Sequence, residues 1–154
     1  MEIITHLMQY IKMNKLQYHN TSEQEYWHLI NQLNWYGLTL TNESEDAVEL
    51  LGSKLSLMFT SVQDIFAFQN FVVNKRIELQ SFIEGYCTGK NDGELFDDAN
   101  SLWDLSAHIV GLGKVMFDYV KKQPSLLKLL QNDVVENFEY GFDKAIEIMT
   151  ENTD

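Results

Sequence analysis

The chain has 154 residues, 45% of them hydrophobic, with 11 lysines and arginines against 23 aspartates and glutamates, one cysteine and one proline. That length is enough for a single domain with a sizeable core, with no need of a disulfide or a metal to fold. The formal charge of −12 speaks against nucleic acid and anionic membrane as partners, since either would add negative charge to be neutralised, and it leaves a basic protein as the complementary one.

In chain order the apolar periodicity is helical almost throughout. Ile4, Leu7, Met8 and Ile11 form a first amphipathic stretch, ended by the polar segment from Asn14 to Thr21. Ser22 with Glu25 three residues later is a capping box, and it predicts a second helix carrying Tyr26, Trp27, Leu29, Ile30 and Leu33 and stopping near Gly37. Leu38-Thr39-Leu40 alternates like a strand but is too short for a sheet. A third helix opens at Asn42 or Ser44, with acids in its first turn and Val48, Leu51, Leu55 and Met58 on one face. Ser61 with Asp64 opens a fourth, running to about Tyr86 with a bend expected at Lys75 and Arg76.

Gly85, Gly89 and Gly93 bracket Asn91-Asp92 and predict a loop. Leu102, Leu105, Ile109, Leu112, Met116 and Tyr119 then recur through a fifth helix that Pro124 closes. After the short LLKLL segment, which suits a proline at a first helical turn, a last helix carries Val135, Phe138, Phe142, Ala145 and Met149. These segments predict one all-α domain over residues 1–154, a bundle of about six helices around one core.

Cys87 has no second cysteine in the chain to form a disulfide with, which fits a reducing, cytoplasmic setting. The opening MEIITHLMQYIKMNK carries an acid at position 2 and does not read as a secretory signal. No apolar run approaches the ~20 residues of a membrane span.

No catalytic set assembles from the residue types. Asp104 and His108 share a helix face near Asp97 and Asp98, but acids near the positive end of a helix are ordinary, and His6, His19 and His28 have no ligand spacing. Neither a metal nor a cofactor is expected. HIVGLGK, from His108 to Lys114, follows helical periodicity and lacks the ending of a phosphate loop. Gly111 and Gly113 would each cost a helix about 1 kcal/mol relative to alanine, so either a neighbouring helix packs close there or a ligand pocket lies beside Asp104, His108, Gly111 and Gly113. Cys87 at the negative end of a helix is an inert thiol, and a single arginine, Arg76, is too little for a phosphate clamp.

Three acidic clusters stand out. Glu43, Glu45, Asp46 and Glu49 form the first; Asp92, Glu94, Asp97, Asp98 and Asp104 the second; Asp133, Glu136, Glu139, Asp143, Glu147, Glu151 and Asp154 the third, opposed only by Lys144. Trp35, Tyr36 and Trp103 are aromatic candidates for an interaction surface, with Trp27 and Tyr140 beside them.

Two stretches carry a resemblance. Tyr26-Trp27-His28-Leu29-Ile30 resembles the aromatic-Trp-x-Leu-Ile opening of the uncharacterised bacterial family known as domain of unknown function 4240. Asp97-Asp98, Leu102, Leu105, His108-Ile109-Val110, Gly113-Lys114, Phe117, Pro124 and Leu127 are similar to its second motif, with Ser106 where that family has arginine, His108 where it has tryptophan, and two extra residues after the Asp pair. The resemblance implies a helical intracellular bacterial protein and brings no reaction or ligand with it.

The function expected on these grounds is that of a non-catalytic acidic binding domain, an inhibitor or immunity-type protein that blocks a basic partner such as a bacterial toxin. A helical enzyme or small-ligand binder using the pocket near His108, Gly111 and Gly113 is the second reading. A self-associating module, burying exposed aromatics in a homodimer, is the third.

Overall fold

The computed structural model describes residues 22–90, 99–131, 134 and 138–151. Its elements are α1 (Glu23–Leu33), α2 (Trp35–Thr41), α3 (Ser44–Met58), α4 (Val62–Lys90), α5 (Ala99–Leu112), α6 (Lys114–Lys122), a 3-10 turn (Pro124–Leu126), α7 (Leu127–Leu130) and α8 (Tyr140–Glu151). Among the described residues every regular element is helical and no strand occurs, so the fold is an all-α bundle. The amphipathic stretch from Ile4 to Ile11 and the Asn91-Asp92 loop lie outside the described residues.

Helix ends follow local chemistry where the sequence supplies it. The Ser22 hydroxyl accepts from the Glu25 backbone N–H at 3.3 Å, and Ser61 accepts from Asp64 N–H at 3.2 Å, satisfying donors that a helix start leaves open. The second helix does not reach Gly37. Asn34 takes a left-handed conformation (φ 54°, ψ 51°) that ends α1, and its side chain then accepts from Gly37 N–H at 3.2 Å to start α2. One asparagine thus serves both helices, because its short amide tolerates the left-handed region and can also cap. The strand-like Leu38-Thr39-Leu40 lies inside α2.

Further boundaries differ from the sequence reading. Glu43 occupies the α3 N-cap and makes no side-chain cap bond there. The expected bend at Lys75 and Arg76 falls inside one helix, α4, which continues through Gly85 and Gly89 to Lys90. The expected fifth helix is two helices: Gly113, at φ 110°, separates α5 from α6 in a conformation that a Cβ would disfavour. Pro124 opens the 3-10 turn, and Phe138 precedes the last helix.

The core is threaded by aromatic rings from four parts of the chain. Tyr26 of α1 stacks on Phe68 of α4 at 5.3 Å, Phe68 meets Phe142 of α8 edge-on at 5.3 Å, and Phe142 meets Phe138 at 6.0 Å. Phe138 in turn meets Trp35 of α2 at 5.3 Å. Such offset and edge contacts add to the apolar burial of each ring. Leu29, Ile30, Leu33, Leu51, Leu55, Ile65 and Leu79 fill the space around them.

Helices α3 and α8 lie side by side. Small residues allow it: a Cβ on Gly52 would stand 2.7 Å from Lys144 Cβ, and one on Gly141 would overlap Leu51. Gly141 and Ala145, four residues apart and both buried, form the flat strip on α8 that faces α3.

Candidate interaction surface

The α3–α8 seam joins two helices that each carry part of an acidic cluster. On α3, Glu45, Glu49 and Gly52 succeed one another at four and three residues and therefore share one face. On α8, Lys144, Glu147 and Glu151 do the same at three and four. Gly52 touches Lys144, so the helix faces that carry these acids meet at that contact. Glu43, Glu45, Asp46 and Glu49 are exposed on one side of it, and Asp143, Glu147 and Glu151 on the other.

Compensation at this surface is slight. Lys144 approaches Glu147 at 3.6 Å, and among the described residues it is the only base in ion-pair contact with these acids. The α3 lysine, Lys54, points elsewhere: its ammonium donates to the Leu33 carbonyl at 3.1 Å, at the negative end of α1. Burial pushes the Lys54 pKa down.

Two expected surface residues are not on the surface. Trp35 is fully buried; its ring is part of the aromatic thread, and its indole N–H donates to His108 Nδ1 at 3.2 Å. Glu139 is largely covered, its carboxylate 2.9 Å from Arg76 Nε. The Nε–H is not aimed along that contact, so it is an ion pair without an aligned hydrogen bond. Burial raises the Glu139 pKa, against the opposing pull of Arg76 and Trp103. Asp92, Glu94, Asp97, Asp98 and Glu136 lie outside the described residues.

Trp103 and Tyr36 are exposed, as is Tyr140. Trp103 is 46% exposed on one side, while the Arg76 guanidinium lies 3.3 Å from its ring centroid on the other. Arg76 also donates from Nη1 to Gln80 at 3.2 Å. One sign of this cluster is legible in the sequence: a lone arginine in an apolar helical pattern, where a buried cation requires partners.

The residues of the alternative ligand pocket are packed by side chains. His108 is buried and holds its Nδ1 toward Trp35, which places its ring proton on Nε2 when neutral. A Cβ on Gly111 would stand 2.8 Å from Trp35 Cδ1 and 2.9 Å from Phe138, so the bare backbone there is covered by two rings. Gly113 faces Asn31, and Asp104 is half-buried. Among the described residues no group of three or more His, Cys, Asp or Glu is placed to share a metal ion, and no helix is long and apolar enough to cross a membrane.

No family model, no curated protein and no solved structure matches this chain.

Proposed function

We propose that this chain is a non-catalytic protein-binding domain that engages a basic partner through the acidic surface of α3 and α8, as an inhibitor or immunity-type protein does. The observation that carries the reading is the α3–α8 packing at the Gly52–Lys144 contact, which joins the helix bearing Glu45 and Glu49 to the helix bearing Glu147 and Glu151. Two sequence clusters thereby become one field, and a continuous field steers an oppositely charged protein over a range that isolated charges lack. A cytoplasmic setting is supported by the single cysteine, which can form no disulfide within the chain, and the resemblance carried by Tyr26-Trp27-His28-Leu29-Ile30 supports an intracellular bacterial one.

The test is affinity capture from the source cell with the wild-type chain and with a variant carrying Glu45→Lys, Glu49→Lys, Glu147→Lys and Glu151→Lys. A basic protein retained by the first and lost by the second is the expected result. Its association rate should fall at least about tenfold when salt rises from ~0.05 to ~0.5 M, because the screening length shrinks over that range. Capture that is indifferent both to charge reversal and to salt overturns the reading.

A further inference from the structure

The outward surface of α3 has two flanks of different chemistry. At about 100° per residue, Glu45 and Glu49 fall within about 60° of Gly52, whose row meets α8, while Leu50 and Leu57 fall within about 60° of Lys54 on the opposite flank. The Lys54 ammonium donates to the Leu33 carbonyl, which sets that second flank beside the end of α1, where α2 begins. Asn42 and Glu43 lead α2 back into α3, and the two helices pack together. Both leave large apolar side chains in the open: Leu50 and Leu57 on α3, Tyr36 (60% exposed) and Leu40 (66%) on α2. Tyr36 and Leu40 are four residues apart and share a face, and α2 carries no charged residue. Single exposed apolar side chains are ordinary; four on two helices packed together, beside a row of acids, mark a surface that another molecule covers.

We infer that the partner covers α3 with a cationic amphipathic helix, its apolar side chains on Leu50 and Leu57 and its lysines or arginines on Glu45, Asp46 and Glu49. The inference rests on the acidic surface proposed above and adds to it the form of the partner. Charge complementarity selects this occupant. Glu45, Asp46 and Glu49 are exposed with no base among them, because Lys54, the one base of α3, is engaged by the Leu33 carbonyl. A second copy of the chain, of net charge −12, sets acid against acid there. An uncharged apolar segment covers the carboxylates without supplying a counter-charge.

Spacing selects a helix. Asp46, Leu50, Ser53 and Leu57 follow at four, three and four residues and form one row. From Asp46 to Leu57 the row spans about 16 Å at ~1.5 Å per residue, long enough for a second helix to lie along it with its ridges between those of α3. Ser53, small and exposed between the two leucines, leaves a gap that one apolar side chain of the partner fills.

The probe for this is an alanine-based helical peptide with leucines along one face and lysines beside them, titrated into the full chain by fluorescence anisotropy. Its control has the same composition with the leucines dispersed around the helix. The chain is expected to bind the first at least about tenfold more tightly than the control, and Leu50→Gln with Leu57→Gln should remove that preference. Glu45→Lys with Glu49→Lys should weaken both peptides alike. Circular dichroism of each variant checks that the helices persist. Should the double leucine variant unfold, Leu50→Gln alone carries the test, with an expected loss of about threefold. Equal binding of the two peptides, or a preference that survives the leucine substitutions, overturns the inference; the acidic surface then stands without it if charge reversal still weakens both peptides. Binding indifferent to charge reversal overturns the acidic surface and this inference with it. A dimer in sedimentation velocity that Leu50→Gln disperses assigns the row to a second copy and overturns the inference as well.

Discussion

Two sides of the bundle handle charge in opposite ways. Where α1, α4 and α6 meet, acids and bases alternate: Lys75 pairs with Glu23 at 2.6 Å and with Glu78 at 3.1 Å, and Lys121 reaches the same Glu78 at 2.9 Å. Lys121 also lies over the Phe117 ring at 4.4 Å. On the α3–α8 side the acids face outward with Lys144 alone among them. The first side is closed by complementary charge, the second by shape, with Gly52 and Gly141 admitting the neighbouring helix. Net charge is a sum, and among the described residues Lys75, Lys114 and Lys121 are held in ion pairs away from the α3–α8 acids, which have Lys144 as their ion-pair base.

The largest effect should come from Arg76, the buried cation that α4 holds against Glu139 and the Trp103 ring. Arg76→Ala leaves the Glu139 carboxylate buried with no counter-charge, and breaking a buried pair in this way costs about 3–5 kcal/mol. Equilibrium urea unfolding at neutral pH measures it. The loss should shrink on acidification, since burial holds the Glu139 pKa above its ordinary 4.5. The folded state then binds that proton more tightly than the unfolded chain, so stability is regained as pH falls through the raised value. Arg76→Met combined with Glu139→Leu should recover most of the loss at all pH values; a double variant as unstable as Arg76→Ala would show that packing on Trp103, and not charge, is what Arg76 supplies.

The shape-closed side should be broken by volume. Gly141→Leu places a branched side chain where Leu51 already lies, and overpacking of this kind costs about 1–3 kcal/mol. Trimming the neighbour should relieve it: Leu51→Ala in the Gly141→Leu background is expected to recover stability, whereas Leu51→Ala alone, which empties a fully buried position, loses about 2–5 kcal/mol. Unfolding midpoints of the three variants read the coupling directly. If the losses simply add, the two helices do not meet at these residues.

What the sequence made legible was local. Ser22 and Ser61 announced helix starts because a cap needs only three residues of context, and the 3.6-residue pattern identified the helices of the core. What it concealed was decided across the chain. Leu38-Thr39-Leu40 alternates like a strand, yet Asn34 starts a helix over it. Lys75 and Arg76 look like an interruption of α4, but Glu23 and Glu139, far away in sequence, neutralise them in place and the helix runs on. Trp35 looked like an interaction aromatic because composition cannot distinguish a buried indole from an exposed one; its N–H is satisfied by His108, a residue 73 positions away. The packing of the two acid-bearing helices rests on contacts such as Gly52 with Lys144, for which neither segment carries a sign.

The smallest expected effect lies in the exposed pairs of the charge-closed side, and it should have the opposite pH dependence to that of Glu139. The Lys121 hydrogen bond foremost, with help from Lys75, holds the Glu78 pKa below its ordinary value of 4.5, and Lys75 does the same for Glu23. Lys75 itself is pushed down by burial but raised on balance by these two acids. A lowered carboxylate pKa means that the folded state favours the ionised form, so this stabilisation is present above the ordinary carboxylate range and lost as pH falls through the depressed value. Both acids are about half exposed to solvent, which limits the contribution of each pair to roughly 0–1 kcal/mol. Glu78→Gln should therefore cost no more than about 1 kcal/mol at pH 7 and ~0.1 M salt. The difference from wild type should narrow at high salt and vanish below the depressed pKa, leaving acid unfolding of the variant less steep. A Glu78→Gln variant that loses several kcal/mol regardless of salt would place Glu78 in the packing of α4 against α6, and the contrast between a charge-closed and a shape-closed side would no longer hold.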